Sequence, residues 1–411
     1  MLARLPRDAG LAVVRDGPRT VIGIAPSSVR FASGADALAQ LESLEREGGF
    51  WAGFVSYDLG RTIERVRPSS VDDLHLPDLA FARFDTRLVL DPSGPTELVG
   101  DGPGRELLER ALWRARARDP EPVALPGLGG WSTSLDEEAW TRGVEEILEL
   151  LRAGECYQVN LTRRLTVDRA ADPVDLFIAL ARHNPAPHAG LVALGDASDP
   201  SRGSTLDVAV VSASPERFLS LDGRHVETRP VKGTGSDAAR LAASAKDHAE
   251  NVIIVDLARN DLGRVCEYGS VQVPRLFDIE EHPGLFHLVS TVTGRLRPDV
   301  GISDLLRATF PPASVTGAPK PRVLQVIEDL EPVPRGAYCG AIGWVDTEAR
   351  RADLAVAIRT FAVHAGGTDF GVGAGITADS NPADEWAETE LKAARLLALA
   401  GRDARVPAGA R

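Results

Sequence analysis

Apolar residues at three-residue spacing, Leu38, Leu41 and Leu44, predict an amphipathic helix over 34–47. Around it, residues 1–90 read as short strands, the clearest over 50–60 and ending in a polar turn. A charged helix follows over 106–118. Residues 119–132 are then rich in proline and glycine, the strongest candidate boundary. It separates an N-terminal region, 1–125, from a second region, 133–402.

Beyond it the pattern is more regular. Helices are predicted over 135–153 and 173–182, with strands over 157–167, 190–194 and 206–212 and a further strand after 212–223. Strands over 270–277 and 287–296 lead to a helix over 303–309, a turn, and a helix over 321–330. Strands over 340–345 and 354–363, a glycine-rich stretch, and a helix over 384–400 closed by Gly401 finish the pattern. Helices are separated by two or three strands more often than by one. That spacing predicts an α+β fold of layered antiparallel sheets rather than a doubly wound parallel sheet.

The chain has 411 residues and 44% hydrophobic content, enough for one very large core or two ordinary ones. Its net charge of −13 argues against a nucleic-acid footprint and requires any anionic substrate to meet a locally positive site. Cys156, Cys266 and Cys339 lack CxxC spacing, so buried inert thiols are expected rather than disulfides or a zinc site. Neither a signal peptide nor a run of about 18 apolar residues is present, so a cytoplasmic protein with no membrane contact is expected.

Candidate chemistry centres on residues 228–263. Lys232 lies in a Pro-Val-Lys-Gly-Thr turn, followed by a helical segment that carries Asp247 and Glu250 one turn apart. Val252, Ile253, Ile254, Val255 and Leu257 make the next turns apolar nearly all round, which predicts a buried helix. Carboxylates leading into a buried helix need a cation or hydrogen-bond donors opposite. The C-terminal helix repeats the spacing with Glu385 and Glu388, and Lys392 stands one turn further on. Two such pairs describe an oxygen-ligated, Mg²⁺-type site, or else an ordinary acidic first turn exposed at a helix N-terminus. His248 points off the acidic face.

Three further features accompany it. Gly371, Gly373 and Gly375 alternate in a stretch whose amides could approach an anion, or that crowds another backbone. Thr316 to Lys320, TGAPK, is a tight turn with a hydroxyl and an ammonium. Arg359 interrupts an apolar strand and reads as a carboxylate clamp or a structural ion pair.

The segments GECYQVNLTRRL, SASPERF, TRPVKGT, AKDHAENVIIVDLARNDLGRV, HLVSTVTG, TGAPK, YCGAIGW, AVAIRT, GVGAGITADS and EWAETELK, in that order, resemble the chorismate-utilising enzymes. This family includes the component I chains of anthranilate and aminodeoxychorismate synthases and the isochorismate and salicylate synthases. The resemblance spans about two-thirds of the chain, and FVSYDLGR extends it to the leading region of the aminodeoxychorismate subgroup. It implies a layered α/β/β/α sandwich of orthogonally packed sheets, Mg²⁺ dependence, and chorismate as substrate. Gln158 stands where the isochorismate and salicylate synthases carry a water-activating lysine, and Gln cannot act as a base. Lys232 stands where anthranilate synthases usually carry alanine, and lysine there marks the aminodeoxychorismate subgroup.

The resemblance further implies roles. Lys232 would be the nucleophile and Glu216 the acid. Glu250 and Glu388, supported by Asp247 and Glu385, would hold Mg²⁺. Arg359, Gly373, Gly375 and Tyr338 would hold the enolpyruvyl carboxylate, with Thr316 and His287 lining the ring pocket and Lys392 adding positive potential. His287 also fits a satisfied core histidine. PPAS, 311–314, replaces the family's glycines before TGAPK, and Asp247 replaces the glutamate of anthranilate synthases. No glutaminase segment is visible, so ammonia is expected from a separate amidotransferase subunit or from solution. A component I of anthranilate synthase, or a non-catalytic subunit that kept the fold, are the competing expectations.

Overall fold

The computed structural model describes residues 1–116, 127–195, 208–282 and 285–401. Two antiparallel sheets, of eleven and ten strands among the described residues, form its middle; off the paths given next, Ser132–Thr133 pairs with Gln158–Val167 in the first and Gln272–His282 with Leu285–Arg295 in the second. The first runs, from one edge, Gly317–Ala318, Gln158–Val167, Gly367–Ile376, Thr360–His364, Val208–Ser214, His188–Leu194, Leu11–Asp16, Arg19–Ile24, Arg87–Leu90 and Glu97–Val99. The second runs Val231–Gly235, Leu285–Arg295, His225–Arg229, Arg217–Asp222, Arg351–Val356, Ala341–Asp346, Phe50–Val55, Leu79–Arg83 and Ser28–Ala32. The alternation of buried side chains along both sheets supplies the layering.

Between the sheets lies a core that includes Val14, Val192 and Val210 from the first and Phe54, Ile342 and Trp344 from the second. Outside the first sheet, helices Arg105–Arg116, Pro173–His183 and Pro382–Ala400 pack on Leu165, Val211, Phe361 and Phe370. Outside the second, helices Gly34–Glu47, Ala245–Gly263 and Ile302–Thr309 bury Leu41, Val255 and Leu306 against Leu219, Val292 and Leu354. The α+β layering expected from the sequence is therefore present.

The N-terminal strands do not stand apart. Leu11 pairs with Ala193 in the first sheet, and Val55 pairs with Ala341 in the second. Most of the boundary expected over 119–132, residues 119–126, lies outside the described residues.

Three local expectations are corrected. The strand expected over 354–363 is two strands, Arg351–Val356 in the second sheet and Thr360–His364 in the first. The chain changes sheets between them, and Arg359 takes a left-handed φ of 52° there, so it is not a strand residue. The central helix, Ala245–Gly263, buries only one face: Asn251, Ile254, Val255, Ala258, Asp261 and Leu262 are inside, while Val252 is 42% exposed. Gly401 follows the last helix in extended conformation, φ −145°, so no left-handed cap forms. A side chain there would meet the Leu128 carbonyl at 1.5 Å, and this close approach of backbones is what requires glycine.

Candidate active site

The site is assembled where the edge of the second sheet meets the C-terminal helix. Strand Val231–Gly235 is an edge strand, paired on one side with Leu285–Arg295 and covered by the central helix. Its Lys232 is turned inward. Burial pushes its ammonium below the ordinary lysine range, opposed by the charges of Glu250 and Glu216, with Lys392 and Glu388 acting further out. Five of the residues expected at the site thus act on one another electrostatically. The next residue, Gly233, has a φ of 83°, and a side chain on it would strike the Asp247 carboxyl at 2.9 Å. Asp247 is held in place from behind by its amide, which donates to the Ser244 hydroxyl at the helix N-cap.

Across from Lys232 stands strand Gly367–Ile376. A methyl group on Gly375 would lie 3.4 Å from Lys232 Nζ and 2.7 Å from Gln158 Nε2. The lysine and the glutamine therefore converge over this glycine, and its bare backbone is what lets them. Gln158 is fully buried, yet neither its amide oxygen nor its nitrogen has a hydrogen-bond partner among the described residues. Leaving a buried amide without partners is costly.

Glu216 is 4% exposed. Burial pushes its carboxyl up to about 7, against the Ser314 hydroxyl, the Lys232 ammonium and the Val231 amide, which all pull it down. Ser314 belongs to the PPAS segment, so that departure from the family's glycines supplies a group facing the acid.

The residues expected to hold an anion sit together at the open end of the glycine-rich strand. Pairing with Thr360–His364 ends at Phe361 opposite Phe370, so residues 371–376 are paired only on their other side. Continuing that register sets Arg359 across from Val372. Arg359 is partly buried, and no acidic side chain pairs with it among the described residues. Burial, and then the charge of Arg395, push its guanidinium down. The ion-pair alternative for Arg359 therefore falls away, leaving an inward cation next to a half-open sheet edge. Tyr338 backs this edge: its ring occupies the space that a side chain on Gly371 would need, 2.1 Å away.

The acidic turns of the two helices face each other. Lys246 Nζ lies 3.9 Å from Glu250 and 3.8 Å from Glu385. Glu385 also accepts the Ser380 hydroxyl at 2.7 Å. Burial pushes Glu250 above the usual carboxylate range, with Lys232 and Lys246 pulling it back. Burial raises Glu388 too, but Lys392, 2.6 Å away, brings it below that range. Lys392 also donates to the Gly373 carbonyl at 3.2 Å, tying the C-terminal helix to the glycine-rich strand. Among the described residues, no three acidic, histidine or cysteine side chains stand close enough to ligate one ion.

Other expected residues lie further back. Thr316 is fully buried, with its hydroxyl donating to the Pro312 carbonyl at 3.0 Å. His287 is 2% exposed, with Nδ1 2.9 Å from the Thr234 hydroxyl. Lys320 of TGAPK reaches no open space: its ammonium donates to Asp261 at 2.7 Å and to the Thr309 carbonyl at 2.9 Å. The turn lysine is thus a buried clamp between the TGAPK turn and the central helix.

The sequence reading also missed Arg335. It donates to both oxygens of Glu331, at 2.7 and 2.8 Å, and to the carbonyls of Asn160 and Val315. Glu331 in turn accepts the Thr162 amide at 2.8 Å, and the guanidinium lies 4.3 Å over the Tyr57 ring. No local signal marks the pair, because Glu331-Pro-Val-Pro-Arg335 lies beyond the helix end, where a four-residue spacing does not imply a shared face.

Residues 12–398, nearly the whole chain, match the sequence model of the chorismate binding enzymes. The chain belongs to this family. It is 37% identical over 355 residues to aminodeoxychorismate synthase component 1 of Salmonella typhimurium, covering 84% of this chain and 75% of that one. It is 38% identical over 364 residues to anthranilate synthase component 1 of Thermus thermophilus, covering 84% and 76%. Among solved structures, anthranilate synthase component I from Streptococcus pneumoniae superposes with a TM-score of 0.78 at 28% identity, over 93% of this chain and 92% of that one. The fold and family expected from the motifs are shown. Identity alone does not separate the two activities among these chorismate binding enzymes, so the choice returns to the residues of the site.

Proposed function

We propose that this enzyme aminates chorismate at C4, giving 4-amino-4-deoxychorismate, with Lys232 as a covalent nucleophile. The observation that carries this reading is the partly buried Lys232, depressed by burial, facing Gly375 and Gln158 and within electrostatic reach of the buried acid Glu216. The names of relatives, aminodeoxychorismate synthase component 1, support it as well.

The neutral Lys232 amine adds at C2 of chorismate, the two ring double bonds shift from C1=C2 and C5=C6 to C1=C6 and C4=C5, and the C4–oxygen bond breaks. Glu216 gives its proton to the departing hydroxyl, which leaves as water. Ammonia then adds at C4, both double bonds shift back, the C2–Lys232 bond breaks to return the amine, and the proton shed by the new C4 nitrogen restores Glu216. Arg359 and the open edge at Gly373 and Gly375 hold the enolpyruvyl carboxylate, with Tyr338 behind them. Gln158 is the partner for a polar group of the ring, since its buried amide has bonds to give. Thr316 and His287 shape the pocket from behind. Lys392 sets the position of the glycine-rich strand through Gly373.

The oxygen donors of Glu250, Glu385 and Glu388, drawn from two helices, fit a hard divalent cation in kind, and Asp247 supports them. Mg²⁺ held there would neutralise the ring carboxylate. Ammonia would come from a glutamine amidotransferase subunit. Among the described residues no helix is long and apolar enough to cross a membrane, which supports a cytoplasmic place for the enzyme.

Glu216 must carry its proton to work, and its carboxyl titrates at about 7. Activity should therefore fall as pH rises through about 7, even though the neutral fraction of Lys232 grows over the same range. A pH profile of kcat/KM checks this; activity still climbing at pH 9 would remove Glu216 from the acid role. The function itself is tested by incubating the enzyme with chorismate, Mg²⁺ and ammonium and identifying the product by mass spectrometry. 4-Amino-4-deoxychorismate without pyruvate is expected. Fluorescent anthranilate with pyruvate would assign the other activity, and unchanged chorismate would leave a non-catalytic subunit.

A further inference from the structure

Lys246 opens the central helix, immediately before Asp247. Its ammonium stands between two helices, 3.9 Å from Glu250 Oε1 and 3.8 Å from Glu385 Oε1. At these separations the charges attract without a hydrogen bond. The same ammonium also lowers Glu388. Lys246 is therefore a cation that the facing acidic turns share, reaching Glu250 and Glu385 from the solvent side. Its side chain is 55% exposed, while those of Glu250 and Glu385 are 14% and 5% exposed. The carboxylates are fixed in the wall, and the lysine is free to turn out to solvent.

Two largely buried carboxylates, one from each helix, thus share a single half-exposed ammonium that hydrogen-bonds to neither. A compact divalent ion held by one carboxylate from each helix and by water compensates them better than one ammonium at nearly 4 Å.

We propose that Lys246 is a built-in counter-ion that a divalent cation displaces. It neutralises Glu250 and Glu385 while the ion is absent, and leaves the gap between the helices when the ion enters. Lys246 is in this sense a positioning residue: it keeps the carboxylates facing one another and lowers the affinity for the ion it makes room for. The inference rests on the Mg²⁺ reading given above.

The test uses the full chain and magnesium chloride alone, by isothermal titration and by thermal unfolding with and without the ion. Lys246→Met keeps the apolar stem and removes the charge; Lys246→Arg keeps a cation. Lys246→Met should bind Mg²⁺ about tenfold more tightly than the unmodified chain, the scale for relieving partly screened charge pairs. Without the ion it should melt at lower temperature, and it should gain more on adding the ion. Lys246→Arg should restore the original affinity and melting temperature. Equal or weaker Mg²⁺ binding by Lys246→Met overturns the inference, whatever its activity. If the unmodified chain takes up Mg²⁺, Glu250→Gln abolishes uptake, and Lys246→Met leaves it unchanged, the metal reading stands and only the counter-ion falls. If no variant takes up Mg²⁺ at all, both fall.

Discussion

Lys232→Ala should lower kcat/KM for chorismate roughly a thousandfold or more, the loss typical when a covalent nucleophile is removed. The physical basis is the environment rather than the residue type. A lysine on an exposed turn stays protonated at neutral pH and cannot attack carbon. Lys232 is pushed down by burial, and its neighbours Glu250, Glu216 and Glu388 give back only part of that loss. The substitution should not weaken the fold, because alanine removes a partly desolvated cation. Activity and thermal melting, measured on the same preparation, separate the two effects. If the alanine variant consumes chorismate at the original rate, a covalent route through this amine is excluded.

Arg335→Ala should produce the largest loss of stability, about 3–5 kcal/mol, because it strands a buried carboxylate. Arg335 and Glu331 have side chains only 2% and 5% exposed, and they bond each other twice. Arg335 also holds the carbonyls of Asn160 and Val315, one beside Gln158 and the other next to Thr316. Removing it leaves Glu331 charged and two carbonyls unpaired. Arg335→Ala with Glu331→Gln should cost less than Arg335→Ala alone, since the amide keeps an acceptor for Thr162 and carries no charge. Denaturant unfolding of the single and double variants measures this difference. Equal losses would mean that the lost carbonyl contacts, not the stranded charge, set the cost.

The helices were the most legible part of the chain. The helix over Gly34–Glu47 has the bounds that Leu38, Leu41 and Leu44 predict, because its apolar stripe faces the second sheet alone. The acidic pairs were equally legible, since a spacing of three on a helix forces a shared face. What escaped was set by contacts distant in sequence. Residues 354–363 are apolar apart from Arg359 and Thr360, and with no glycine or proline among them nothing local marks the change of sheet. Lys320 reads as a turn cation, yet its partner Asp261 lies 59 residues earlier. Val252 reads as core, but the central helix is covered on one face only, so the apolar run overstated its burial. The orphaned amide of Gln158 has no sequence signature at all; only the three-dimensional packing around Gly375 reveals it.

One measurement bears directly on the nucleophile. The enzyme is given chorismate and Mg²⁺ without ammonium, quenched over a time series, and analysed by intact mass and peptide mapping. The account predicts a protein heavier by chorismate less one water, with the added mass on the peptide carrying Lys232, lost again once ammonium is supplied. Unmodified protein at every quench time, from an enzyme that turns over normally when ammonium is added, would contradict it.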